Sequence, residues 1–331
     1  MEHEDTLSPH ITVIGGGTGS FTILRELKHL TPNISALVNM SDDGGSTGQL
    51  RDELGVLPPG DVRQCLVALS NMPEVRDLFN YRFGEGFMAG HSMGNIILTG
   101  LELQYGDFER AVKLASKLLQ ITGEVVPITL EKHDLVMQDG DELVRGEYKI
   151  GHRAISEPDA RVALEPKSEL NPLAHQAIVD CDLLVIAPGN LYGSLLPALG
   201  PIGIRRAFEA SAARKVAIAN LVTKPGQTDG WHVVDYVKKI EEYTGENQID
   251  AVLYNNQPPS SDLLSRYAEN GEYPVDFAPD RFGEITAEAI GVPLLAEDLY
   301  TQDPNDTMLR RTLIRHNARQ VGRQLMRLYY S

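Results

Sequence analysis

Ile11-Thr12-Val13-Ile14-Gly15-Gly16-Gly17-Thr18-Gly19-Ser20 is the stretch on which the fold turns. Residues 11–14 read as a short buried strand and 15–19 as a glycine turn, after which Phe21, Leu24, Leu27 and Leu30 share one face of a helix. Moving outward, a second apolar run over 34–40 ends at Ser41-Asp42-Asp43-Gly44-Gly45. Further strands are predicted over 182–187, 215–222 and 251–254, each followed by a polar or Pro/Gly-rich loop. Strands alternating with helix-period stretches predict an α/β fold with a mostly parallel central sheet. Such sheets take their ligands at the carboxyl ends of the strands.

The whole chain, 331 residues with no fixed-period repeat or low-complexity linker, is expected to fold as a single α/β domain over 1–331. Hydrophobic residues make up 42% of it, enough for a large core, which excludes a disordered chain. One region reads differently: about 125–165 is predicted as a β-rich excursion from the sheet. Within it, 135–144 forms a hairpin turning at Asp139-Gly140, a pair suited to a type I′ turn. The excursion is open to two readings, a lid over a ligand or an inert decoration.

Acidic residues outnumber basic ones, 46 to 30, for a net charge of −16, which argues against a general nucleic-acid binder. The longest uncharged stretch, 183–204, holds three prolines and four glycines, so it reads as strand, loop and helix start rather than an integral membrane segment. The first ten residues are acidic and carry no apolar run, so no signal peptide is expected. Cys65 and Cys181 form neither a metal nor a redox spacing. A soluble protein of a reducing, cytoplasmic compartment is the expectation.

Several loops carry candidate chemistry. Glycines at 15, 16, 17 and 19, with Thr18 and Ser20, let a backbone approach a phosphate closely, and the helix start behind them supplies free N–H groups. The loop lacks the Gly-Lys-Ser/Thr ending of a Walker loop, and Ser20 stands where a dinucleotide fingerprint has its third glycine. A tight turn with no ligand is the plainer alternative. Asp42 and Asp43, at the end of the second strand, can bond a ribose hydroxyl, hold Mg²⁺ against a phosphate, act as a base, or merely form an Asp-Gly turn. Asp61, in Pro58-Pro59-Gly60-Asp61-Val62-Arg63, suits a helix N-cap. His91, Ser92 and Asn95 precede an apolar run and can either contact phosphate and sugar or cap a helix. Gly189, Asn190 and Tyr192 follow the best-defined strand, at 182–187.

These motifs occur together, in order and at matching distances, with Arg315-His316-Asn317 near the end. On them the chain resembles the YvcK group of the CofD-like proteins, the gluconeogenesis factors, from about residue 11 to 317. The resemblance implies a Rossmann-like fold of the CofD type. The enzyme relatives transfer a 2-phospho-lactyl group from a nucleotide diphosphate carrier and use Mg²⁺, whereas the YvcK branch is similar to binders of UDP-sugars such as UDP-N-acetylglucosamine. That branch acts in cell shape and envelope synthesis during growth on gluconeogenic carbon sources. By motif, Asp42, Asp43 and Asp61 match acidic positions of the transferase centre, with Asp42 and Asp43 as the metal pair. Ser46 falls in the same loop, and Tyr267 and Arg315 match UDP-sugar positions. The chain departs from the pattern with Met40-Ser41 before the aspartates and with Asn190 in place of Ser. For Tyr267 an ordinary surface aromatic is the alternative; as a ligand residue, its ring would stack on uracil or a sugar face, with Arg315 clamping the diphosphate.

A basic helix is predicted over 306–330, with Arg311, Arg315, Arg319, Arg323 and Arg327 recurring every four residues beside an apolar face of Leu309, Val321, Leu325 and Leu328. It reads either as a solvated helix or as a surface for an anionic partner or membrane. Three functions follow: a regulatory UDP-sugar binder with a nucleotide-sugar ligand, a homo-oligomeric assembly and a regulatory protein partner; a Mg²⁺-dependent transferase of the CofD type; or an NAD- or nucleotide-sugar-dependent enzyme.

Overall fold

The computed structural model describes residues 8–157, 159–296 and 314–331. Its strands in chain order are β1 (Ile11–Gly15), β2 (Ile34–Val38), β3 (Glu124–Pro127), β4 (Asp134–Asp139), β5 (Glu142–Arg145), β6 (Arg161–Glu165), β7 (Leu183–Ile186), β8 (Arg214–Ile218), β9 (Ala251–Asn255) and β10 (Glu288–Val292). Seven of them form one sheet in the order β10-β9-β8-β7-β1-β2-β3, and every pairing in it is parallel. β1 lies in the middle, with Ile11 opposite Ile34 on one side and Leu183 on the other. All five of its residues are buried, as a strand covered on both faces requires. Thr12 is accommodated there because its hydroxyl donates to the Ala177 carbonyl at 2.6 Å.

The chain winds outward from β1 through β2 to β3, then returns to β7 on the far side of β1. This reversal is the topological switch point of a Rossmann-like sheet, where the loops after two neighbouring strands part to form a crevice. Here those loops touch. A Cβ on Gly19, in the first turn of the helix Gly17–Leu27, would lie 1.8 Å from the Pro188 carbonyl oxygen in the loop after β7. The last glycine of the opening motif therefore serves contact between the two loops of the switch point.

Three departures from the sequence expectation have local causes. β3 opens the stretch read as an excursion, yet it pairs with β2 at the edge of the main sheet, so the separate antiparallel sheet, ordered β5-β4-β6, begins only at Asp134. Asp139 pairs with Glu142, which makes Gly140-Asp141 the two central turn residues. Only Gly140 has positive φ, +58°, the pattern of a type II′ rather than a type I′ turn. Asp139 remains in the strand, buried, and accepts the backbone N–H groups of Ser156 and Glu157 together with Arg153 Nη2.

The third departure is at the C-terminal end. The helix runs from Ala318 to Tyr330, capped by Asn317, whose side chain accepts from Gln320 N at 3.1 Å. Residues 306–313 of the expected helix, Leu309 and Arg311 among them, lie outside the described residues. Arg315 precedes the helix and is not a member of its stripe. Val321, Leu325 and Leu328 are buried, while Arg319, Arg323 and Arg327 are exposed. Gly322 admits close packing, since a Cβ there would come within 2.8 Å of Leu30. No helix among the described residues is long and apolar enough to cross a membrane.

The switch-point contact gives a direct test. Gly19→Ala should destabilise the protein by about 3 kcal/mol or more, because its methyl meets backbone that cannot move aside. Gly84→Ala, where nothing lies within 4 Å, should change stability by less than about 0.5 kcal/mol. Urea unfolding of the two variants would refute the packing argument if they proved equally stable.

Candidate functional site

The glycine turn after β1 is closed by the protein's own carboxylate. Asp61 sits in the first turn of the helix Gly60–Leu69 and is buried. A Cβ on Gly16 would stand 2.3 Å from Asp61 Oδ2, and the Gly17 amide hydrogen-bonds to the same side chain. The N–H group that an incoming phosphate would use thus already faces a carboxylate. Of the predicted loop residues, Gly16 and Gly19 make room for protein groups, and a Cβ on Gly15 would fall 2.5 Å from Ser20 Oγ. Gly15, Gly16 and Gly19 thus each stand against a protein group, while Gly17 adopts a positive φ of +63°.

Asp42 lies beside Asp61. Its Oδ1 accepts the Gly44 N–H at 3.0 Å, it is bonded to Thr47, and a Cβ on Gly60 would stand 2.5 Å from its Oδ2. Burial, then the charge of Asp42, pushes Asp61 up to about 7, and burial likewise raises Asp42. Two carboxyl groups in one dry site cannot both ionise cheaply. Arg63, also buried, stands behind them, with Nε donating to Asn95 Oδ1 at 3.0 Å and Nη1 to Asn80 Oδ1 at 2.8 Å.

Asp43 points the other way. Its Oδ2 accepts the N–H of Glu147 at 2.9 Å and its Oδ1 that of Tyr148 at 2.7 Å, capping the short helix Glu147–Gly151 between β5 and β6. Gly146, at φ +99°, is needed there, as a Cβ would stand 2.8 Å from Asp43 Oδ2. On its other side the same segment is tied to the loop after β8. Gln227 Nε2 donates to the carbonyls of Ile150 and Arg153 at 2.7 and 3.1 Å, and Ile155 N donates to Gly226 O at 2.7 Å. The small sheet and its helix thus form a roof running from the loop after β2 to the loop after β8. From this roof Glu147 reaches toward Asp42, Asp61 and Asp43; burial first, then those charges, raise it to about 8.

The other predicted residues fall into two groups. Ser46, His91, Ser92 and Asn95 form one network: Ser46 Oγ lies 2.9 Å from His91 Nδ1, Asn95 Nδ2 donates to Ser46 Oγ at 3.2 Å, and Ser92 caps the helix Met93–Tyr105 by accepting Asn95 N. On the far side of the switch point, Asn220 Oδ1 accepts the Gly189 N–H at 3.1 Å and its Nδ2 donates to the Gly189 carbonyl at 2.9 Å, fixing the loop that carries Asn190. Asn190 caps the following turn through Gly193 N. Tyr192 is a correction, because it is buried in the core rather than presented to the cleft.

Tyr267 is a correction too. Neither a surface residue nor a free stacking face, it is buried and its hydroxyl accepts the N–H of Ile314 at 2.6 Å. The bond holds the segment that carries Arg315. His316 Nε2 then donates to the carbonyl of Ala219 at 3.1 Å, and burial holds this ring down at about 4, neutral. Sequence reasoning missed Glu147, Asn220 and Lys224, the last a half-buried lysine in the loop after β8. Lys224 lies in Thr223-Lys224-Pro225-Gly226, which reads as an ordinary turn, and Glu147 lies in a polar stretch; only Asn220, just beyond a strand, gave a positional signal.

The acidic pair fits a hard cation in charge, yet no group of three His, Cys, Asp or Glu side chains among the described residues is arranged to hold a metal ion. Both oxygens of Asp43 are engaged with backbone N–H groups, so Asp61, rather than Asp43, is the neighbour of Asp42 with which a cation could be shared.

A parallel sheet of Rossmann type, with polar loops gathered at its switch point beside a small antiparallel sheet, defines an α/β protein of the doubly wound class. The sequence model of the family described as 2-phospho-L-lactate transferase CofD matches residues 11–299, and the chain belongs to the CofD family. It is 38% identical over 323 residues to the gluconeogenesis factor of Halalkalibacterium halodurans, covering 96% of this chain and 95% of that one. It is 36% identical to the gluconeogenesis factor of Listeria monocytogenes, with the same coverage of both chains. A crystal structure of a UPF0052-family protein from Bacillus halodurans superposes with a TM-score of 0.86 at 36% identity, over 96% of this chain and 98% of that one.

The acidic cluster sets a pH dependence. Asp61 is raised from 3.8 to about 7, so between these values the folded protein binds a proton that the unfolded chain has released. Its contribution therefore falls as pH rises from about 4 to about 7. In EDTA, Asp61→Asn should be more stable than the parent by at least about 1 kcal/mol near pH 8, the gap closing near pH 5. Denaturation at both pH values checks this, and a gap that widens at low pH would refute it.

Proposed function

We propose that this protein is a nucleotide-sugar binding regulator that takes a UDP-sugar of the UDP-N-acetylglucosamine kind. On this reading it serves as a gluconeogenesis factor, as its relatives are named, supporting cell shape and envelope synthesis on gluconeogenic carbon sources. The observation that carries it is the continuity of the carboxyl edge of the sheet. Tyr267 holds Ile314, the neighbouring Arg315 leads to His316, His316 is bonded to Ala219, and the next residue, Asn220, clamps the Gly189-Asn190 loop at the switch point. Arg315 brings positive charge to that edge, and Tyr267 acts by positioning it rather than by stacking. Ser46, His91 and Asn95 line the opposite side with hydroxyl, imidazole and amide groups suited to sugar hydroxyls.

A second reading, Mg²⁺-dependent transfer of a phospho-lactyl group from a nucleotide diphosphate carrier, is favoured by Asp42 and Asp61. These two neighbouring carboxyl groups would hold the ion, with water and phosphate oxygens completing its shell. The ion would supply charge neutralisation at the phosphate. Asp42 and Asp61 would be the residues whose amide variants abolish turnover, while Asp43→Asn would act through the roof. This reading needs a second substrate; the regulatory one does not.

A UDP-sugar at about 100 times its Kd should stabilise the protein by about 2.7 kcal/mol, and NAD by less. Arg315→Ala should lose about tenfold or more in affinity, Tyr267→Phe a smaller part of it, and exposed Arg319→Ala nothing measurable. Calorimetric titration decides. Absence of binding to any uridine nucleotide, or equal losses at Arg315 and Arg319, would reject the proposal.

A further inference from the structure

We infer that Lys224 is the cation that seats the phosphoryl group of the ligand, in a recess bounded by Asn190, Glu147 and the bare backbones of Gly151 and Gly193. The inference rests on the nucleotide-sugar reading for the identity of the ligand, but its geometry stands apart from it.

The first step is one of exclusion. Phosphate binding in a sheet of this type is expected at the glycine turn after β1, and in this protein Asp61 covers that turn. A second carboxylate, Asp42, lies alongside. That site offers an anion two carboxyl groups and no lysine, whereas the loop after β8 carries one, Lys224, facing the loop after β7 and the roof.

Those loops and the roof converge on one small space. Measured from the point where a Cβ on Gly151 would stand, Asn190 Nδ2 is 3.4 Å away, Glu147 Oε1 3.6 Å and Lys224 Nζ 3.9 Å. Gly193 faces the same groups, since a Cβ there would lie 2.4 Å from Glu147 Oε1 and 2.7 Å from Asn190 Nδ2. The space over Gly151 thus has room for a methyl-sized group between an ammonium, an amide and a carboxyl group, while the Gly193 backbone is packed against the last two. Lys224 is half-buried, and its charge is disfavoured by burial and favoured by Glu147 and Glu272. Neither carboxylate forms an ion pair with it, and no ion pair among the described residues engages it. A lysine held in a recess beside an amide donor, without a bonded carboxylate, is a point charge suited to phosphate oxygens. The loop that carries it is anchored at two points. Lys224 N donates to Thr228 Oγ1 at 2.8 Å, and Gln227 locks the loop to the roof.

Gly151→Ala is the sharpest probe. Its methyl would make only ordinary contacts, at 3.4 Å and beyond, and Gly151 has no positive φ, so the fold should tolerate it while the recess is filled. Titrations would use UDP, uridine and inorganic pyrophosphate as ligands of the parent, Gly151→Ala and Lys224→Met, with far-UV circular dichroism and thermal unfolding to verify folding. The expected result is a loss of about tenfold or more in affinity for UDP and pyrophosphate in both variants, with Lys224→Arg recovering part of it and uridine binding unchanged. If the parent binds pyrophosphate through Lys224 but no uridine compound, the recess is upheld and the nucleotide-sugar reading falls. If both folded variants bind UDP and pyrophosphate like the parent, or the parent binds neither, the recess is not a phosphate seat.

Discussion

The carboxyl edge of this sheet is arranged around two neighbouring carboxyl groups, Asp61 buried and Asp42 half-buried. Asp42 and Asp61 come from different loops, yet both are drawn in against helix starts, where free N–H groups offset part of the cost of leaving water. Their placement dictates the small residues around them. Gly16 and Gly60 have no side chain because the carboxylate oxygens occupy that space. Arg63, held from behind by Asn80 and Asn95, supplies the nearest fixed positive charge. The remaining repulsion is relieved by protons, which is why these groups and Glu147 are displaced toward neutral pH. Structures retain so costly an arrangement chiefly at functional sites.

Much of the frame is legible in the sequence because it follows periodicity. β1, the glycine turn and the first helix announce themselves through an apolar run followed by helically spaced leucines. β7, β8 and β9 do so through apolar runs that end in polar loops. β3 and β10 are harder to see. Glu124-Val125-Val126-Pro127 is short and ends in proline, and Glu288-Ala289-Ile290-Gly291-Val292 is a half-exposed edge strand with a glycine inside it. Neither has the pattern of a buried strand. The C-terminal helix looks longer in the sequence than it is, because arginines every fourth residue continue the helical spacing through Arg315, while Asn317 supplies a cap that outweighs it.

The site is legible by half. Motif residues mark the loops correctly, but side-chain direction is decided by tertiary partners. Adjacent Asp42 and Asp43 serve opposite purposes because one faces Asp61 and the other faces a helix start 104 residues away. Glu147 and Lys224 sit in polar stretches that look like surface, and they acquire their character only when the roof folds over the edge. Tyr267 and Tyr192 illustrate the converse, as tyrosines beside cleft residues can equally be pulled into the core.

The roof has a kinetic meaning. It is fastened at one end by Asp43 and at the other by Gln227 and Gly226, through hydrogen bonds each worth about 1 kcal/mol net. On the proposed reading, a ligand seated beneath it would exchange when one of these fastenings opens. Residence time and affinity would thereby be set by different parts of the molecule. A substitution at Asp43 would on that reading shorten the first by loosening its fastening, and one at Arg315 would weaken the second with the fastenings untouched. Such a chain, on the proposed nucleotide-sugar reading, would average the ligand level over the opening time of its roof.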